Sequence, residues 1–316
     1  MDESRSGAAR RRRVSKAPGL EALEGRQLMA AALTQPSIKE VTMKGYTELS
    51  IKGTNTGDSI TIDDNGTSLP GNVTVTLGNG TTYTTKSGVS VVELQDGSGS
   101  DNVTYNLTGT LTSAQSILLN LGNGNNQFTG NIAGAVDVSG GLDLEVYGGT
   151  GNDTEVVNQT GATEAGAFVP YLSGGGGKNT LTYNGTGNIA ANASVSPEFA
   201  GGSKSDTITS NYSGQVDGNY MYNLTVGAGS GTENITDNVY LAAGSSGTVG
   251  YSPTQPATIK AGKGNDTISY NIQADPTATA QVIAAVLGDG GKGSITTSSN
   301  VGVDGSVSKM KNTTLP

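Results

Sequence analysis

The 316-residue chain has no cysteine, no histidine and no tryptophan. Without cysteine there is no disulfide framework and no thiolate metal site, and sulfur usage says nothing about redox compartment. Without histidine the commonest general base and the commonest metal-binding nitrogen are missing. Charged residues make up only 14% of the chain, and every arginine (Arg5, Arg10, Arg11, Arg12, Arg13 and Arg26) lies near its start. The body therefore has no guanidinium with which to clamp a phosphate or carboxylate. Beyond residue 30 acidic residues outnumber lysines about two to one, a balance that repels nucleic acid and anionic lipid. No stretch reaches 18 consecutive apolar residues, so no membrane-spanning helix is expected.

Glycine is abundant, at 49 residues, and it recurs in phase. The stretch AGKGNDTISY (261–270) shows the pattern G-G-x-G-x-D-x-U-x, with U apolar, running into an alternating strand. Versions follow one another as DGSGSDNVT (96–104), LGNGNNQFT (121–129), GGTGNDTEV (148–156), GGGGKNTLT (174–182), GGSKSDTIT (201–209) and AGSGTENIT (228–236). A worn copy, GDGGKGSIT (288–296), closes the series, and GTNTGDSIT (53–61) precedes it. The sixth position is Asp58, Asp101, Asn126, Asp153, Asn179, Asp206, Glu233, Asp266 and Gly293, in steps of 43, 25, 27, 26, 27, 27, 33 and 27. A period of this length marks a stacked repeat.

The expected fold is all-β: a parallel β-helix-like solenoid with coils of about 26 residues. Each coil has an apolar strand before the glycine turn (Val91, Val92, Leu94; Leu142, Leu144, Val146) and another after it (Val103, Tyr105; Leu181, Tyr183). A weaker third patch is expected around Leu111, Ile132, Ile189, Val216 and 239–241. Within the long first step, VTVTL (73–77), Gly78-Asn79-Gly80 and 81–85 read as a β-hairpin capping the solenoid edge. The expected divisions are a basic segment at 1–33, cap strands at 34–90, repeats at 91–300 and a polar tail at 301–316. Low-complexity disorder is the competing reading, but it gives no reason for apolar residues to keep phase with glycines.

The first segment resembles a known one. After Arg10–Arg13, the residues Leu20, Glu21, Leu23, Glu24, Arg26 and Leu28 match the LEPR-XLL segment of large bacterial surface and extracellular proteins, with Gly25 and Met29 departing from it. The resemblance implies export to the cell surface or beyond, with the segment serving as an address.

The glycine turns resemble the RTX, or hemolysin-type, calcium-binding nonapeptide. That family stacks its repeats in tandem, whereas here one copy appears per coil. The resemblance makes Asp101, Asp153, Asp206, Glu233 and Asp266 candidate ligands for Ca2+, the one cofactor indicated. Against this, carboxylates stacked about 4.8 Å apart repel by roughly 1 kcal/mol in water and more in a protein. From Asp101 to Asp206 the column alternates Asp and Asn, which dilutes charge and lets Asn bridge by hydrogen bonds, as a metal-free ladder would. Glu233, between Asp206 and Asp266, breaks the alternation and is the preferred neighbourhood for a cation. Structural turns and calcium sites both remain open at this level.

Three functions follow. The first is a secreted or cell-surface structural or adhesive solenoid, non-enzymatic, with weak Ca2+ binding as an option, and facing surface or matrix components, glycans among them. The second is an RTX-like module that folds only with calcium. The third is a polysaccharide-acting β-helix enzyme, for which the residues present offer little beyond lysine and scattered carboxylates. Oligomeric state is not legible.

Overall fold

The computed structural model describes residues 35–66, 72–221, 223–225, 231–250, 257–261, 264–282, 284–288 and 292–300. The basic segment at 1–33 and the tail at 301–316 lie outside the described residues. Those described belong to one unit, Leu33–Pro316.

That unit is a β-solenoid. Strands preceding each glycine turn stack into one sheet of 15 strands, and strands following it stack into a second of 11. Through the repeats the pairing is parallel: Val91–Gln95, Gln115–Asn120 and Leu142–Tyr147 in the first sheet, Asn102–Leu107, Gln127–Ile132, Thr154–Gln159 and Thr180–Gly185 in the second. Each second-sheet strand alternates exposed or half-buried with buried residues, because one pleat face looks inward. In register, the inward positions form columns. One runs Ile51, Leu94, Leu119, Val146, Leu172, Phe199. Another runs Ile60, Val103, Phe128, Glu155, Leu181, Ile208, Ile235, Ile268. All of these residues are buried, Glu155 included.

The third patch is thinner than a strand. It consists of single bridges linking Leu111 to Val136, Thr163 to Ile189 and Ile189 to Val216, with Val136–Asp137 its only two-residue piece among the described residues. Ile132 and residues 239–241 belong instead to the second sheet, whose strands run on to Ile132 and to Leu241. Apolar residues alone could not separate a strand's last position from the first of a corner.

Both N-terminal sheet edges are finished antiparallel. Strand β1 (Ser37–Met43) pairs with β2 (Tyr46–Lys52) on the first sheet. On the second, β4 (Val73–Leu77) pairs with β3 (Ser59–Asp64), and β5 (Thr82–Thr84) folds back on β4, forming the expected hairpin. Glu40 joins the two caps, accepting from the N–H groups of Lys86 (2.8 Å) and Ser87 (3.1 Å) and from the Tyr83 hydroxyl (3.2 Å). A cap of this kind covers an edge that would otherwise template further strands.

Further on, the first sheet divides. Thr163–Ser173 pairs with both Ala193–Val195 and Glu198–Ala200, which flank Pro197, a residue with no N–H to contribute to the ladder. Later coils keep the division as Asn219–Tyr220 with Asn223–Thr225, and Thr248–Val249 with Ala257–Ala261.

Candidate functional site

The sixth-position residues lie directly above one another at the start of each second-sheet strand, and they are tied together in one direction. The backbone N–H of Asp58 donates to Asp101 Oδ1 (2.7 Å), and that of Asp101 to Asn126 Oδ1 (3.0 Å). Asn126 donates to Asp153 (2.8 Å), Asp153 to Asn179 (2.9 Å) and Asn179 to Asp206 (2.8 Å). After a gap, the N–H of Glu233 donates to Asp266 Oδ1 (3.1 Å). The sheet ladder does not use these N–H groups, and each would cost about 1–3 kcal/mol if left buried and unpaired. A short side chain ending in an acceptor meets the need, so Asp and Asn serve equally. Glu is one methylene too long: neither Glu233 oxygen receives a hydrogen bond, and the ladder is broken between Asp206 and Glu233.

Asn uses one oxygen for the ladder; Asp has a second to place. In Asp58 and Asp206 it caps the glycine turn, accepting from Thr54 N–H and Gly202 N–H, both at 2.6 Å. In Asp101, Asp153 and Asp266 the Oδ2 atom is buried with no hydrogen-bond partner. Each of these three has another acid beside it. Asp101 meets Asp58 and Asp96, with one oxygen from each within 4.8 Å of the other two. Asp153 meets Glu155: a Cβ built on Gly148 would stand 2.6 Å from Asp153 Oδ2 and 2.9 Å from Glu155 Oε1. Asp266 meets Glu233.

Of the five candidate ligands, then, Asp206 has both oxygens engaged, Glu233 and Asp266 form a pair, and Asp101 and Asp153 sit in separate acidic groups. Asp153 and Asp206 are two coils apart with Asn179 between them. Asp58, Asp96 and Glu155 were absent from the sequence-derived set. Glu155 left a signal there, since it occupies the U position that every neighbouring copy gives to an apolar residue. Asp96 left none, because it stands at the first position of its copy.

Burial followed by neighbouring charge raises these acids. Burial, then the charges of Asp101 and Asp58, pushes Asp96 up to about 7. Burial pushes Asp153 up to about 6. Burial, the adjacent carboxyl of Asp266 and the charges of Asp266 and Asp206 push Glu233 up to about 8. Glu155 lies well above the usual carboxylate range, first through burial and then through Asp153.

The sign follows from linkage. Between the ordinary carboxylate values, near 4, and these raised values, the folded chain keeps protons that the unfolded chain has released, so stability falls as pH rises. The metal-free protein is expected to melt roughly 5 °C or more lower at pH 8 than at pH 5, read by far-UV circular dichroism. A higher melting temperature at pH 8 would contradict the grouping of these acids.

Outside the second sheet a different column runs, Asn106, Asn131, Asn158, Asn184, Asn211, Asn238 and Asn271, in which each Nδ2 from Asn131 onward donates to the Oδ1 of the asparagine before it at 2.8–3.3 Å and Asn106 donates to Asp63 Oδ1 at 2.7 Å. A shallow groove follows its later part, lined by Asn184, Asn211, Asn238, Asn271, Tyr240 and Gln273. Tyr240 is 43% exposed. Tyr105 and Tyr183, by contrast, face inward and are fully buried.

Protein-family models, characterised proteins and solved structures were all compared with the chain, and none matches it.

Proposed function

We propose that the chain is a secreted or cell-surface structural or adhesive solenoid that carries out no reaction on a substrate. One observation carries this reading: the repeated turn residue is accounted for by the ladder it builds. From Asp58 to Asp206 the column satisfies successive buried N–H groups with protein oxygens alone, linking coil to coil along the axis. A repeat used this way makes a stiff rod whose length scales with coil number, as stacked-repeat proteins do.

Glycans fit the groove on the outer asparagine column. Asn184, Asn211 and Asn238 each retain one N–H and one lone pair, and Tyr240 adds an aromatic face beside them. Export is supported by the likeness of the first thirty residues to an address segment.

Two measurements test the two halves. Far-UV circular dichroism of the full chain in excess chelator is expected to show strand signal; a coil spectrum that becomes strand only on adding Ca2+ would replace the scaffold with a calcium-dependent folding module. Fractionation of cells producing the full chain, or the chain lacking residues 1–33, is expected to place only the former outside the cytoplasm. Equal cytoplasmic retention of both would remove the export assignment.

A further inference from the structure

We propose that the groove beside the asparagine column binds an uncharged, extended polysaccharide that lies along the solenoid axis, about one sugar to each coil. This rests on the reading of that groove as a glycan surface, and adds the class of chain and its direction.

The groove belongs to the later coils because their second-sheet strands run further. Gln127–Ile132, Thr154–Gln159 and Thr180–Gly185 have six residues each, whereas Thr207–Gly214 and Asn234–Leu241 have eight and Asn265–Ala274 has ten. The added residues carry a second outward row, Ser213, Tyr240 and Gln273, in register and two positions beyond Asn211, Asn238 and Asn271. All three are exposed. Side chains two apart on a strand share a face, so the rows stand side by side, about 6.6 Å apart, and the groove follows them.

The lining sets the class of ligand. None of the described residues that line the groove carries a charge. A uronate, sulfate or phosphate group would find no cation there and an acidic protein body around it, and an amino sugar would find no carboxylate. Hydroxyl groups meet donors and acceptors in equal number, since Asn184, Asn211 and Asn238 each have one N–H and one lone pair left over from the ladder. The ladder holds these amides in one orientation before any ligand arrives, which lowers the ordering cost of binding. Tyr240 supplies an exposed ring against which the apolar face of a sugar can stack.

Direction follows from spacing. Successive coils present the same amide about 4.8 Å apart, and a cellulose-like chain in its extended form advances by nearly this length with each sugar. Laid along the axis, such a chain offers every rung a hydroxyl; laid across the strands, it would reach one amide only. The rungs in the groove are Asn184, Asn211, Asn238 and Asn271, so a tetrasaccharide spans them. An amylose-like chain coils and loses this register. The lining also lacks the two carboxylates that glycoside hydrolysis uses, so the site suits holding a chain rather than cutting it.

The test is calorimetric titration of the full chain with extended neutral hexasaccharides (cellohexaose, xylohexaose and N-acetylchitohexaose). Maltohexaose is the coiled neutral control and hexagalacturonate the acidic one. The proteins are the wild type, Tyr240→Phe and Tyr240→Ala; Tyr240 is exposed, so the strand spectrum is expected to be unchanged. Support is binding of at least one extended neutral hexamer, at least tenfold tighter than either control, kept in Tyr240→Phe and weakened at least fivefold in Tyr240→Ala. Affinity that climbs from the disaccharide to the tetrasaccharide of that sugar and then levels supports the axial direction. A disaccharide that binds as tightly as the tetrasaccharide overturns the direction. Maltohexaose or hexagalacturonate binding as tightly as the extended sugars, and lost in Tyr240→Ala, overturns the class and leaves the groove a glycan surface. If no sugar binds at millimolar concentration, or if Tyr240→Ala binds like the wild type, the groove is not a glycan surface and both readings fall.

Discussion

Gly124→Ala is expected to cost at least about 4 kcal/mol, a large fraction of the stability of an ordinary domain. Two effects add. Gly124 has φ +133°, a conformation that costs other residues about 1–3 kcal/mol. Its missing Cβ would also fall on the carbonyl oxygen of Gly99, one coil below, and that obstacle is backbone that cannot swing aside. The same relation recurs above, where Gly151 (φ +134°) sits against the Gly124 oxygen. The coils can close only by shifting apart, which weakens the flanking bonds from Gly99 N–H to Asn123 O (2.8 Å) and from Gly124 N–H to Thr150 O (2.7 Å). Gly80→Ala is the control. Gly80 has φ +83° in the hairpin turn but open space around it, so only the conformational cost of about 1 kcal/mol remains. Urea denaturation of the two variants measures the difference. If they lost similar stability, the close stacking of these turns would be wrong.

Glu155→Leu is expected to stabilise the metal-free protein by about 2 kcal/mol at neutral pH. The residue stands between Phe128 and Leu181 in a column that is otherwise apolar, and neither of its carboxyl oxygens has a hydrogen-bond partner. Keeping it buried means holding it protonated beside Asp153. Leucine has nearly the same length, suits the column and removes both the desolvation cost and part of the fall in stability between pH 5 and pH 8. Glu155→Gln would keep two polar atoms in the same place and recover much less. Chemical denaturation in chelator distinguishes the cases. A leucine variant weaker than wild type by more than about 1 kcal/mol would mean that Glu155 holds a partner worth more than its burial costs.

Much of this arrangement could be read before any coordinates. Glycine turns at steps of mostly 25–27 residues, alternating strands on either side and a two-stranded cap were legible because each depends on local spacing. The turn residue was legible as a column, and its alternation of Asp and Asn correctly suggested hydrogen bonding between coils. The bonding group was not legible: the donor is a backbone N–H, so Asp and Asn are interchangeable in the ladder, and the amide of Asn is not required for it. The third patch was overdrawn, since Ile132 and residues 239–241 continue second-sheet strands and only single bridges hold the corner. The acidic groupings were the least accessible. Asp58 and Asp101 are 43 residues apart, and only the parallel register of Ser59–Asp64 on Asn102–Leu107 brings them, and with them Asp96, into one place.

By itself, then, the order of residues determined that this chain winds into stacked strands, because a glycine-marked period and a two-residue apolar alternation leave few other ways to bury its side chains. Only the tertiary structure decided which acids meet. Stacking sets residues from successive coils about 4.8 Å apart whatever their separation along the chain. At that distance one carboxylate finds an N–H, another finds only its own kind, and the difference lies in register rather than in composition.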